Sequence, residues 1–191
     1  MVSKGLDFDK VNLVGIFDID RIIHFPDFRS HERAYQLITQ VSGRSGRKSG
    51  NGRVLIQTSD PSQDVLLKVM REDYRPFYNS EIMEREEFKY PPFARLIRII
   101  FKHKDVQIVN EGSVYLGNLL RQHLGTDRVN GPVDPVINRL RNLYIKEIQV
   151  KIEMSGVSLS AVKEMMWTLR DDLNQQKPFK GVSVVFDVDP I

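Results

Sequence analysis

The stretch "YPPFARLIRIIFKH", Tyr90–His103, decides how the chain is divided. Two consecutive prolines cannot continue a helix, because each lacks an amide proton and its ring clashes with the preceding turn. The residues after them are rich in isoleucine and predict a strand over 93–103. A domain boundary is therefore expected at the prolines.

The half that begins here has a rhythm of its own. Val109, Leu116, Leu119 and Leu120 fall at helical spacing and predict a helix over about 106–124. Strands are expected over about 128–137 and 143–152. Leu159, Val162, Met166, Leu169 and Leu173 then mark a second helix over about 158–174. "VSVVFDV" alternates strictly, with Val182, Val184, Phe186 and Val188 on one face of a closing strand. The order strand, helix, strand, strand, helix, strand predicts a ferredoxin-like α+β domain over residues 91–191, its helices covering one side of an antiparallel sheet.

Upstream, "VNLVGIFDID" is an apolar run from Val11 to Ile19 that reads as a strand buried on both faces, and hence as part of a parallel sheet. Ala34, Leu37, Ile38 and Val41 predict a helix from about Ser30 to Ser42, with Ser30 as its N-cap, and "RVLIQT" is a further strand. Strand, helix, strand is the unit of an α/β sheet, so residues 1–60 are read as part of an α/β lobe. Residues 61–90 read as a helical linker in which Phe77, Ile82 and Phe88 are the buried anchors.

The 191 residues are 41% hydrophobic, enough for ordinary cores, and the absence of cysteine excludes disulfides and thiolate metal sites. His24, His31, His103 and His123 lie too far apart in sequence to suggest a ligand pair, so no metal site is expected. With no apolar run of about 18 residues and no secretory leader pattern, the expected compartment is the cytoplasm. Net charge is +3, and its excess sits beyond residue 90, a weak pointer to nucleic acid. Arg98, Lys102 and Lys104 fall along one strand, either as a basic stripe for DNA phosphates or as a solvated sheet face. Asp18 and Asp20 form a D-x-D at a strand end, read as a magnesium site or as a cap or partner for Arg21 or Arg29. Trp167, beside Met165 and Met166, reads as core in preference to a base-stacking surface.

The chemically pointed stretch is "QVSGRSGR", Gln40–Arg47. Two guanidinium groups on a short glycine-bearing loop match the oxygens of a triphosphate, and Gly43 and Gly46 let the backbone come close. In phosphoryl transfer such arginines act from a surface other than the one that cradles the nucleotide. "GRSGRKS" is not itself a phosphate cradle, since the spacing to Lys48 is one short and the order is helix then strand.

"QVSGRSGR" resembles the Q-x-x-G-R-x-G-R motif of superfamily 2 helicases, and "SKGLDF" upstream resembles the motif that precedes it in the same lobe. Together with "FPDFRSHERAYQLITQ", "GRVLIQT", "YPPF" and the closing "DVDP", the chain resembles at near full length the C-terminal part of the primosomal replication-restart helicases. The resemblance implies a partial RecA-like second lobe followed by the C-terminal domain, within an ATP-driven 3′ to 5′ DNA helicase that restarts stalled forks. It implies that Arg44 and Arg47 approach the γ-phosphate, that Gln40 couples the nucleotide to interlobe movement, and that Gly5 and Asp7 line the cleft, with Gly43 beside the nucleotide. Ser3 and Lys4 would lie near the DNA backbone, with serine where the family usually has threonine. ATP and Mg2+ would be held mainly by the other lobe, and the family's zinc segment would lie outside this cysteine-free chain. DNA, single-stranded DNA-binding protein and primosome components are the implied partners of a monomer. The chain is expected to be a fragment that is inactive alone. The competing reading is a non-catalytic nucleic-acid or protein binding module.

Overall fold

The structure, a computed structural model, describes residues 12–43, 52–154, 156 and 158–190. The chain divides into two compact units, Met1–Glu84 and Arg85–Ile191. The division falls within a helix, a little before the prolines at which a boundary is expected from sequence.

In the first unit, β1 (Leu13–Ile16) pairs in parallel with β2 (Arg53–Ile56), Leu13 lying opposite Arg53 and Ile16 opposite Ile56. Between them run α1 (Asp20–Ile23) and α2 (Ser30–Ser42), and after them come α3 (Asp64–Met70) and α4 (Tyr74–Glu87). The core draws Ile16, Ile19 and Ile23 together with Ala34, Tyr35, Ile38, Val65, Leu66, Val69 and Phe77. Tyr35 stacks on Phe77 with ring centroids 4.3 Å apart, a contact worth about 0.5–1.5 kcal/mol beyond the area it buries.

Three details differ from the sequence reading. The strand is half-buried, not buried on both faces: Leu13, Phe17 and Leu55 are exposed while Ile16, Val54 and Ile56 turn to the core and Val14 is partly buried. Described helices pack only one side of the two strands, so period-2 alternation operates beneath an all-apolar composition. Ser30 is the buried first residue of α2 and not its cap. Asp27 orders that end, its Oδ1 accepting the Arg29 N–H at 2.8 Å and its Oδ2 pairing with Arg33 at 3.1 Å. Residues read as a linker supply Val65, Leu66 and Val69 to the core beside Phe77, which is buried as expected, whereas Ile82 is half-buried and Phe88 exposed.

The second unit contains β3 (Ala94–His103), α5 (Val106–Leu124), β4 (Val129–Val133), β5 (Arg139–Leu140), β6 (Leu143–Glu153), α6 (Leu159–Gln175) and β7 (Ser183–Val188). β3 lies between β6 and β7, antiparallel to both. The order across the sheet is β4-β6-β3-β7, with β5 a short addition paired to β6. Ile97, Ile99 and Phe101 from β3 and Ile148, Val150 and Ile152 from β6 point to one face. They bury against Val109, Leu116 and Leu120 of α5 and Val162, Met166, Leu169 and Leu173 of α6. Asp105 caps α5 by accepting from the Gln107 and Ile108 N–H groups, and Ser158 caps α6 through the Ala161 N–H; such caps are each worth about 1 kcal/mol. β4 ends four residues before the stretch read as strand does. Gly131 there has φ 102°, and an added Cβ would lie 2.8 Å from the Glu147 carbonyl oxygen. The ladder shifts register between Asn130 and Val133, so the chain leaves the sheet and Val136 and Ile137 stand exposed. Trp167 is 48% exposed, not core: it packs edge-on against Phe186, and the Arg170 guanidinium lies over its ring. Among the described residues, no helix is long and apolar enough to cross a membrane.

Candidate functional site

The parallel pairing of β1 and β2 brings their C-terminal ends side by side, where ligands of open α/β sheets collect. The loop after β1 carries Asp18 and leads into Asp20, the first residue of α1, and the loop after β2 carries Thr58, Ser59 and Asp60. Asp20 links the two. Its Oδ1 accepts from Thr58 Oγ1 at 2.6 Å, and its Oδ2 accepts from the Ser59 N–H at 2.7 Å and Ser59 Oγ at 2.6 Å. The Ser59 hydroxyl, the Thr58 hydroxyl and the Ser59 amide hold its pKa down to about 2. Asp20 is therefore a structural acceptor with Thr58 and Ser59 as its partners, in place of the arginines considered from sequence. Asp60 repeats the device on a smaller scale, its carboxylate accepting the Ser62 amide and hydroxyl, which lowers its pKa.

The motif that begins at Gln40 starts on the last turn of α2. Ala34, Tyr35 and Ile38 bury its inner face, which fixes the direction in which its last turn points. Gln40 is exposed on that turn. Gly43 follows with φ −63° and ψ −8°, and its N–H donates to the Thr39 carbonyl at 3.0 Å. Among the described residues, an added Cβ at Gly43 would meet the carbonyls of its own helix, at 3.5 Å from Thr39 and 4.0 Å from Gln40. The backbone conformation thus does not require glycine there. Arg44 and Arg47, together with Ser3, Lys4, Gly5 and Asp7, lie outside the described residues.

Arg98 and Lys102 share the sheet face turned away from α5 and α6. That face is not a free basic stripe. Asp187 stands opposite Arg98 on β7 and pairs with it at 2.8 Å. Glu147 lies opposite Ile100 on the same face. Its own pKa is raised by burial, against the pull of Arg98. At the edge, Arg95 pairs with Asp189 at 2.6 Å and Lys89 with Glu153 at 2.5 Å. A β strand places neighbours from other strands beside each residue, so the acidic partners come from β6 and β7 and are invisible in the spacing along β3.

Lys151 is a buried cation that sequence reasoning missed. It is 9% exposed, its Nζ donating to the Phe88 carbonyl at 2.7 Å and lying 3.7 Å from the Tyr90 ring centroid. Burial, and then Lys89, lower its pKa. This contact ties the segment before the prolines to β6, and a lysine two positions from a glutamate in an alternating strand carries no signal of it.

A parallel strand–helix–strand unit with a polar strand-end cluster, followed by a helix-backed antiparallel sheet, defines a mixed α/β protein of two units. The chain belongs to the family described as "Primosomal protein N C-terminal domain", whose model matches residues 86–191. It is similar along its whole length to the replication restart protein PriA of Bacillus subtilis, with 33% identity over 191 residues and 23% of that protein covered. It is likewise similar to PriA of Treponema pallidum, 35% identical over 193 residues, with all of this chain and 28% of the relative covered. PriA of Chlamydia pneumoniae is 42% identical over 135 residues, 71% of this chain and 18% of the relative. The chain thus spans about a quarter of the length of these curated relatives.

Proposed function

We propose that the chain is the C-terminal portion of an ATP-dependent 3′ to 5′ DNA helicase that restarts stalled replication forks. Residues 1–60 are read as part of a RecA-like lobe and residues 91–191 as a ferredoxin-like domain. The observation that carries this reading is the similarity to replication restart proteins across 100% of the chain. Its support is local as well: the Gln40–Arg47 motif begins on the last turn of a helix lying between two parallel strands.

In this reading Arg44 and Arg47 stabilise charge on the γ-phosphate of ATP as it develops, Gln40 relays the presence of nucleotide, and Gly43 leaves room for it. Gly5 and Asp7 line the same cleft, and Ser3 and Lys4 meet the DNA backbone. Magnesium and the phosphate cradle come from the other lobe, so the chain alone hydrolyses no ATP. Arg98 and Lys102 touch DNA phosphates, Lys102 more than Arg98, because Asp187 already neutralises Arg98. Single-stranded DNA-binding protein and primosome components are its partners in the cytoplasm.

The test is DNA-stimulated ATP hydrolysis by the complete protein. Arg44→Ala and Arg47→Ala each lower it on the order of a thousandfold, the scale of other arginine fingers, with the thermal transition unmoved. Near-normal turnover in both variants overturns the reading, as does helicase-like turnover by residues 1–191 alone. A binding module without chemistry is the second reading, favoured by the separate core of residues 85–191. DNA affinity retained in full by residues 85–191, with no ATP dependence in the complete protein, selects it.

A further inference from the structure

The histidines that are isolated along the sequence are not all isolated in space. His31, in the first turn of α2, faces α4, where Glu81 and Glu84 are spaced i, i+3 and so share one side of the helix. One ligand atom from each of the three lies within 4.8 Å of the others. His31 Nδ1 is 3.3 Å from Glu81 Oε1. In the metal-free chain this contact is a hydrogen bond; two donors about 2.0–2.2 Å from a shared tetrahedral ion stand about 3.3–3.6 Å apart, so an ion taking the place of the shared proton needs little change in this separation.

The surroundings favour a cation. The three side chains open on a pocket of about 300 Å³ whose floor is Ile23, Val65 and Phe77, each buried, and whose rim adds Asp64. No lysine or arginine is among the residues lining it. Lys68, on α3, is held by Asp64 at 2.5 Å and Ser80 at 2.8 Å. An imidazole with two carboxylates is the donor set of zinc and its first-row neighbours, and magnesium prefers oxygen alone.

We propose that His31, Glu81 and Glu84 bind one divalent transition-metal ion, with Zn2+ as its representative, leaving the remaining position open to the pocket. The ion joins α2 to α4 and so anchors the helix that carries Gln40. The site is independent of the helicase reading: it requires neither nucleotide nor DNA.

The experiment is calorimetric titration of the metal-free 191-residue chain with zinc chloride. The wild type takes up one equivalent, and its melting temperature rises when zinc is added. His31→Ala and Glu84→Gln each weaken uptake by about tenfold or more, the scale of losses when a metal site is disturbed, and His123→Ala leaves it unchanged. Glu84→Gln alters charge on an exposed residue, so circular dichroism of that variant separates lost binding from lost folding. Absence of saturable uptake by the wild type, or wild-type affinity in both His31→Ala and folded Glu84→Gln, overturns the proposal.

Discussion

Arg98 Nη2 lies 2.8 Å from Asp187 Oδ2, across a register in which the two residues stand directly opposite on β3 and β7. The pair makes the outer sheet face a mixed lattice in place of a cationic one, because Glu147 shares it. Removing Arg98 leaves two carboxylates without their shared cation. Arg98→Ala is expected to lower stability by about 0.5–1 kcal/mol, the range of a well-oriented pair that solvent still screens. Urea unfolding at low and high salt measures it, and a loss independent of salt would show that packing of the arginine stem, not charge, is the cause.

The same geometry ranks the two proposed DNA contacts. Lys102 lies opposite Ser183 on β7 and Ile145 on β6, with no acid directly across from it. Each phosphate contact contributes about 0.9 to the slope of log affinity against log salt on duplex DNA and about 0.7 on single strands. Lys102→Ala should therefore reduce the slope for forked or single-stranded DNA by about one contact, and Arg98→Ala by less. Binding titrations at two salt concentrations decide it; equal slopes in wild type and Lys102→Ala remove Lys102 from the interface.

Elements with strong internal periodicity are legible in the sequence itself. α5 runs over Val106–Leu124, the range its leucines and valines predict, and α2 over Ser30–Ser42. What the sequence hides depends on partners distant along the chain. β1 is apolar at nearly every position, and only its pairing with β2 reveals which side packs. α3 and α4 look like a charged linker until Tyr35 is seen stacked on Phe77. His31 gains Glu81 from fifty residues away. Arg98 looks free because Asp187 lies eighty-nine residues on. The arginine motif is legible through resemblance; packing arguments alone would make it a basic loop.

Two cores predict two separately placed losses. Phe77 is 4% exposed in the first core, and Phe101 is fully buried in the second. Truncation of either to alanine costs about 3–5 kcal/mol. In Phe77→Ala, amides of residues 12–43 and 52–84 should lose hydrogen-exchange protection first. In Phe101→Ala the loss should begin with β3, β6 and β7. Uniform loss throughout the chain in both variants would show the units to be one cooperative block.

Asp20 gives a pH prediction whose sign follows from its partners. Its carboxylate is held at about 2, from an ordinary 3.8, by the Ser59 hydroxyl, the Thr58 hydroxyl and the Ser59 amide. A lowered folded pKa means that the unfolded chain binds the proton more readily, so acid favours unfolding. The stabilisation is complete above about pH 3.8 and is lost as pH falls towards about 2. Asp60, lowered by Ser62, and Glu153, lowered by Lys89 and Arg128, slope the same way. Wild type alone therefore cannot isolate Asp20, but a difference curve against Asp20→Asn can, since the other two groups largely cancel. The asparagine keeps one acceptor oxygen and loses the charge. It should melt below wild type at neutral pH and approach it between about pH 3.8 and 2. Melting temperatures of both proteins over that interval make the measurement. A constant gap between the two curves would mean that Asp20 joins the strand ends through geometry alone, with no contribution from its ionisation.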